Sequence, residues 1–196
     1  EKIINKLMVF ILPSLSAGSG SDSKETAFPD EVVRGAWRVF YEICKTRGYK
    51  TVTGFLPHKV HHLEAVLRLL VREKQTDYST WHTRYGLLLW LSLIVLIPFD
   101  LATIDSTYQE RSKQQQEQEE DKSQKEEDGH SSLSLVDSLV DIGKKYLHDA
   151  GPCRDAASFF LARLFTRKDL HSIHLDGFVK WAAAVIHDKR SSAFLI

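Results

Sequence analysis

Apolar residues recur along this chain every three to four positions, broken at intervals by proline, glycine or short polar runs, and no convincing alternation in twos appears. That period marks amphipathic helices rather than strands. Near the start, Ile3, Ile4, Leu7, Phe10 and Ile11 fall on one helical face. Pro29-Asp30-Glu31 then opens a helix with acids placed against the positive end of its dipole. Its stripe is Val33, Ala36, Trp37, Phe40 and Cys44, widened by Val32, Val39 and Ile43. A stripe that broad implies neighbours on two sides. Lys45 and Arg47 suit its negative end, and Gly48 can take the left-handed turn that closes it.

Pro57 opens the next helix, which carries Val60, Leu63, Leu67, Leu70 and Val71. A third runs from Thr80 to Ile97 and stops before Pro98. It is apolar all round after Gly86, so it should be the most enclosed element. Burying each of its large side chains stabilises by roughly 1.5–3 kcal/mol. Ser131-Ser132 can cap a helix bearing Val136, Leu139, Val140, Gly143 and Leu147. Gly151-Pro152 breaks it and starts another, with Ala157, Phe160, Leu161, Leu164 and Phe165 on one side. The last carries Leu175, Phe178, Val179, Ala182 and Ile186.

Stripes separated by short breaks describe an all-α fold of stacked helical hairpins, a HEAT/armadillo-like α-solenoid of degenerate repeats. Residues 1–104 read as helical repeats interrupted by a Ser/Gly-rich connector at 14–26. Residues 105–130 read as a charged, Gln/Glu-rich low-complexity insert, and 131–196 as helical repeats continuing the same solenoid. The insert has no apolar period, so disorder is expected there, with an exposed helical extension as the other reading. The chain begins at Glu1 rather than Met and ends on Ser-Ala-Phe-Leu-Ile. With no polar capping repeat at the end, a solenoid truncated at both ends is expected.

Hydrophobic residues make up 43% and charged residues 27% of the 196 positions, the mix of a globular protein. Charge balances overall but not locally. Asp105 to Gly129 holds nine acids and four bases, leaving about −5 there and about +5 elsewhere. A mildly basic body can steer an acidic protein towards it. It lacks the concentrated basic stripe of a nucleic-acid binder. Leu87 to Ile97 is intensely apolar but falls short of the roughly 20 residues that span a bilayer, so no membrane insertion is expected. Leu7 to Leu15 followed by Ala17-Gly18-Ser19 imitates a secretion signal, and is read instead as the last helix of an upstream repeat. Cys44 and Cys153 match no metal or redox spacing and are expected to be reduced and buried.

Candidate chemistry is sparse. His58 and His62 stand four apart, a spacing that can share a metal on one helical face, but no glutamate lies between them. His171 and His174 are equally unsupported. No nucleophile elbow, phosphate-cradling loop or dinucleotide fingerprint is present. A metal-dependent enzyme using His58 and His62 is therefore the least favoured reading; no catalytic residue, cofactor or metal is expected. Arg47, Lys50, Arg84, Asp100, Arg154 and Asp155 border the apolar helices, where such groups more often satisfy helix ends than touch ligands. Trp81, beside His82 and Arg84, is the tryptophan most suited to reach a surface.

Three stretches carry a resemblance. They are Lys45 to Thr51 continuing into Phe55-Leu56-Pro57-His58, then Trp81 to Asp105, then Arg154 to Trp181. The pattern W-x-T-R-Y-x-L-L-L-W-L-S with L-I-P-F-D, followed by R-D-A-A and R-L-F-T-R, resembles the amino-terminal region of the tubulin-folding cofactor D family. The Gln/Glu-rich insert and the Ser-rich connector depart from it. The resemblance implies a chaperone acting after the chaperonin, a HEAT/armadillo-type solenoid that binds β-tubulin. With other tubulin-folding cofactors and an Arf-like small GTPase, the family assembles and disassembles αβ-tubulin and stimulates its GTP hydrolysis. It also implies a cytoplasmic place, at microtubules or centrosomes, and no catalytic residues in this region. The residues expected to meet a partner are Arg47, Tyr49, Lys50, Trp81 and Arg84. The competing reading is a generic solenoid scaffold or transport adaptor for other proteins.

Overall fold

The computed structural model describes residues 1–16, 28–98, 101 and 134–193. Among them every regular element is helical. The elements are α1 (Lys2–Ser16), α2 (Asp30–Arg47), α3 (Tyr49–Thr53), α4 (His62–Arg72), a 3-10 turn (Tyr78–Thr80), α5 (Trp81–Ile94), α6 (Leu135–Leu147), α7 (Pro152–Phe165) and α8 (Lys168–Ala193). Helix α5 lies at the centre of a helical stack. It packs on α2, α3 and α4 to one side and most extensively on α7 to the other. Helix α1 closes over α2 and α4, while α6 and α8 extend the row beyond α7. This is the α-solenoid that the helical periods predict.

Local chemistry explains most boundaries. Pro29 starts α2, and Gly48, at φ +81°, ends it by donating its N–H to the Cys44 carbonyl at 2.9 Å. Gly151, at φ +70°, turns the chain so that Pro152 occupies the first position of α7, where its missing N–H costs nothing.

Five boundaries differ from the sequence reading, the simplest being that α5 ends at Ile94 rather than Ile97. Helix α1 continues to Ser16, so the first residues of the connector are helical, and Ser14 returns its hydroxyl to the Ile11 carbonyl at 2.6 Å. Gly48 does not end helical structure altogether, because the short α3 follows and buries Val52 and Thr53. Helix α4 begins at His62 rather than at Pro57, since the Pro57 carbonyl accepts the Trp90 indole N–H at 2.6 Å from α5. Helix α6 is capped by Ser134, whose hydroxyl oxygen accepts the Asp137 N–H at 3.1 Å while its O–H donates to the Asp137 carboxylate. Ser131 and Ser132, the insert at 105–130 and most of the connector lie outside the described residues.

The expected enclosure of α5 holds. Every residue from Thr83 to Ser92 is buried. Its central approach is to α2, where a Cβ added to Gly86 would sit 2.1 Å from the Trp37 ring. Trp37 in turn stands edge-on to Phe40 and tilted against Trp90, which fixes the α2–α5 spacing in aromatic contact. Gly143 plays the same part between α6 and α7, where a Cβ would meet Leu161 at 2.5 Å. Not every apolar position is used, however. Val32, Val39 and Val71 are exposed, as are Ile173, Val179 and Ile186 on α8.

Two glycines on these helices should respond oppositely to alanine. Gly86→Ala gains roughly 1 kcal/mol of helix propensity, but it drives a methyl into Trp37, and such overpacking costs about 1–3 kcal/mol. At 2.1 Å the clash wins, so urea denaturation should show a net loss. Gly35→Ala, on α2, adds a Cβ with nothing within 4 Å and should raise stability by up to about 1 kcal/mol.

Candidate partner-binding surface

The polar side chains that the motifs single out divide into two groups, those turned inward and those left outside. Arg84 belongs to the first. It is only 2% exposed, and its guanidinium donates to the Lys74 and Asp77 carbonyls, both at 2.7 Å, and to the Thr80 hydroxyl at 2.9 Å. These groups belong to the turn between α4 and α5, which the guanidinium ties together. Arg84 is therefore not part of a contact surface; the sequence could place it at a helix edge but not say which way it points. Asp77 folds the same turn by accepting the Ser79 N–H and O–H at 2.9 and 2.7 Å.

The other end of α5 is satisfied from the next layer. Arg163 donates to the Ser92 carbonyl at 3.2 Å, and Arg167 to the Val95 and Ile97 carbonyls at 2.7 and 2.8 Å. Arg163 projects from the last turn of α7 and Arg167 from the turn between α7 and α8, and together they reach carbonyls at the end of α5 and just beyond it. Asp169 clasps the Arg167 guanidinium at 2.6 Å, and that contact holds its carboxyl below the usual range despite burial. The R-L-F-T-R pattern is thus a cap for α5. Cys153 adds a thiol contact to the Trp81 carbonyl at 3.3 Å. Burial pushes that thiol up to about 11 and the Cys44 thiol to about 12, so both stay protonated and unreactive.

Of the remaining expected contact residues, Arg47 and Lys50 are exposed, whereas Tyr49 and Trp81 are half-buried. Tyr49 stands edge-on to Phe159 of α7 at 4.9 Å, with the Arg163 guanidinium over that phenylalanine at 4.2 Å. Trp81 stacks on His82 at 3.7 Å and meets Tyr41 of α2 edge-on at 4.7 Å. The four residues lie along the shoulder formed by α2, α3 and the start of α5. Beside Trp81 a cleft of about 450 Å³ opens, lined by Glu31, Arg34, Gly35, Arg38, Tyr78 and His82 among others. Arg34, Arg38 and Tyr78 were not singled out from the sequence. Tyr78 follows no apolar period and is 85% exposed.

The histidines do not form a metal site. His58 lies in the loop before α4, with Nδ1 3.5 Å from the Leu56 carbonyl, so it shares no helical face with His62. His62 is buried against His61 and Trp90. His174 pairs instead with Asp137 across α6 and α8 at 3.9 Å. Among the described residues no group of three or more histidine, cysteine or acidic side chains could hold a metal ion. Nor is any described helix long and apolar enough to cross a membrane.

Comparison with known proteins agrees with the architecture. A family model described as "Tubulin-specific chaperone D-like, ARM repeat" matches residues 1–186. The curated "Tubulin-folding cofactor D" of Schizosaccharomyces pombe is 30% identical over 131 residues, covering 67% of this chain and 9% of that protein. The "Tubulin-specific chaperone D" of Dictyostelium discoideum is 35% identical over 109 residues, covering 56% of this chain and 7% of that protein. The chain thus spans less than a tenth of the length of these relatives. No solved structure matches it.

Two measurements check this assignment of roles. Arg84→Met should cost about 1.5–3 kcal/mol in chemical denaturation, because the α4–α5 turn loses its hydrogen bonds from a charged donor. The second concerns pH. Burial, reinforced by His61 and Lys59, holds the His62 imidazole below its ordinary 6.5. The unfolded chain therefore takes up that proton first. The stability contributed by the neutral ring is complete above pH 6.5 and is lost as pH falls from there through the lowered folded value. The thermal midpoint should drop as pH falls below about 6.5, and His62→Gln should shrink the drop.

Proposed function

The chain belongs to the tubulin-specific chaperone D family, and on that premise we propose that it is a stretch of a tubulin-folding chaperone that works by holding β-tubulin against its outer helical faces. The observation that carries this reading is the family match across residues 1–186, which takes in helices α1 to α7 and most of α8. A solenoid supports such a role because its repeats contact mainly their neighbours and leave long faces open for another macromolecule. The division of polar groups supports it further. Arg84, Arg163 and Arg167 are committed to backbone carbonyls inside the stack, while Arg34, Arg38, Arg47 and Lys50 remain exposed. In the whole protein, this framework acts in the cytoplasm with the other tubulin-folding cofactors and an Arf-like small GTPase. It assembles and disassembles αβ-tubulin and stimulates tubulin GTP hydrolysis through contacts, without catalytic side chains of its own.

The test is co-purification of the tagged full-length protein with β-tubulin. Retention at low ionic strength that weakens as salt rises is expected, because exposed basic side chains steer an acidic partner. Absence of β-tubulin at low ionic strength would remove the reading.

A further inference from the structure

Between Leu101 and Ser134 the polypeptide runs through the 32 residues Ala102 to Leu133, and groups outside that stretch finish the fold on both sides of it. On the near side, Arg167 takes the Val95 and Ile97 carbonyls at 2.7 and 2.8 Å. Asp169 clasps Arg167 and also accepts the Leu101 backbone N–H, and Leu101 is fully buried. On the far side, Ser134 caps α6 by accepting the Asp137 N–H at 3.1 Å. None of these bonds uses a residue between Ala102 and Leu133.

The parts before and after the stretch share one continuous core. Helix α7 makes its most extensive contact with α5, and α6 reaches α4. Phe160 and Leu164 of α7, like Leu88 and Leu91 of α5, are wholly buried. Polar bonds cross the seam as well. Tyr146 donates its hydroxyl to the Leu70 carbonyl at 3.4 Å, the Gln75 amide donates to the Lys145 carbonyl at 3.1 Å, and Arg163 donates to the Ser92 carbonyl at 3.2 Å. Parting the two would bare one side of α5, a helix that is apolar all round. An interface made of core resembles that of an obligate complex. A covalent link adds to it only the effective concentration of one part at the other.

We propose that α1–α5 and α6–α8 are complementary halves that recognise each other through the α5–α7 seam, so that cutting the chain between Ala102 and Leu133 leaves one assembled protein. The partner that each half fits is the other half. Arg163 and Arg167 fix the register of α7 on α5, because hydrogen bonds are directional whereas apolar burial is not. This goes beyond the chaperone reading and does not depend on which macromolecule the chain holds.

The experiment uses the full-length protein with a protease recognition sequence placed between Gln116 and Glu117, cut to completion. Two bands on a denaturing gel are expected, with a single gel-filtration peak at the position of the uncut protein and unchanged helical circular dichroism. The thermal midpoint of the cut protein should rise with protein concentration, as for a two-part complex, while that of the uncut protein stays constant. In sedimentation over a dilution series, Arg167→Met should weaken association of the cut halves by about tenfold or more. Tyr146→Phe removes only the hydroxyl at Leu70 and should weaken it by about threefold. Should Arg167→Met fail to fold before cutting, Tyr146→Phe alone decides. Separate elution, precipitation or loss of helix on cutting would overturn the proposal. So would equal association of wild type and variants, since halves held together elsewhere in the full-length protein would not sense this seam.

Discussion

A helix enclosed on every side cannot leave its end groups to water, and the architecture around α5 follows from that constraint. The last carbonyls of a helix have no partner within the helix, and a buried carbonyl left unpaired costs about 1–3 kcal/mol. Burial from Thr83 to Ser92 removes solvent from the body of α5 and reaches its last turn. Side chains therefore replace it, with Arg84 folding the entering turn, and Arg163 of α7 and Arg167 of the turn after it taking the Ser92, Val95 and Ile97 carbonyls. Each bond that satisfies the exit also fastens α7 to α5, so capping and stacking are one interaction. Tyr146 and Gln75 repeat the arrangement on a smaller scale, reaching the Leu70 and Lys145 carbonyls between α4 and α6.

The same constraint redistributes meaning among the motif residues. A run of arginines and aromatics beside apolar helices looks like a recognition surface when only the sequence is read. Most of that run is structural. Trp90 donates to Pro57, Trp37 fills the gap left by Gly86, and the three arginines hold helix ends. Function is then left to side chains that obey no packing rule. Tyr78, Arg34 and Arg38 stand out because nothing inside the stack accounts for them.

Function in such a scaffold is a property of shape and charge spread over several helices. Helix α2 shows how one element serves two purposes. Trp37, Phe40 and Cys44 anchor it inside, while Val39 and Ile43 line a depression outside.

Helix type, the order of the elements and the buried character of α5 could be read from residue spacing, because a period near 3.6 and an unbroken apolar run leave few other folds. The Gly48 and Gly151-Pro152 breaks were legible for the same reason, since backbone geometry there depends on the residue itself. What the sequence could not decide was direction. Val32 and Val39 read as part of a second buried side, yet they face solvent, and Arg84, though expected to meet a partner, is interior. Whether a side chain near a helix edge points into the stack depends on which neighbour lies there and which carbonyl that neighbour leaves unpaired. For Arg163 and Arg167 those contacts join residues about 70 positions apart, and only the tertiary structure brings them together.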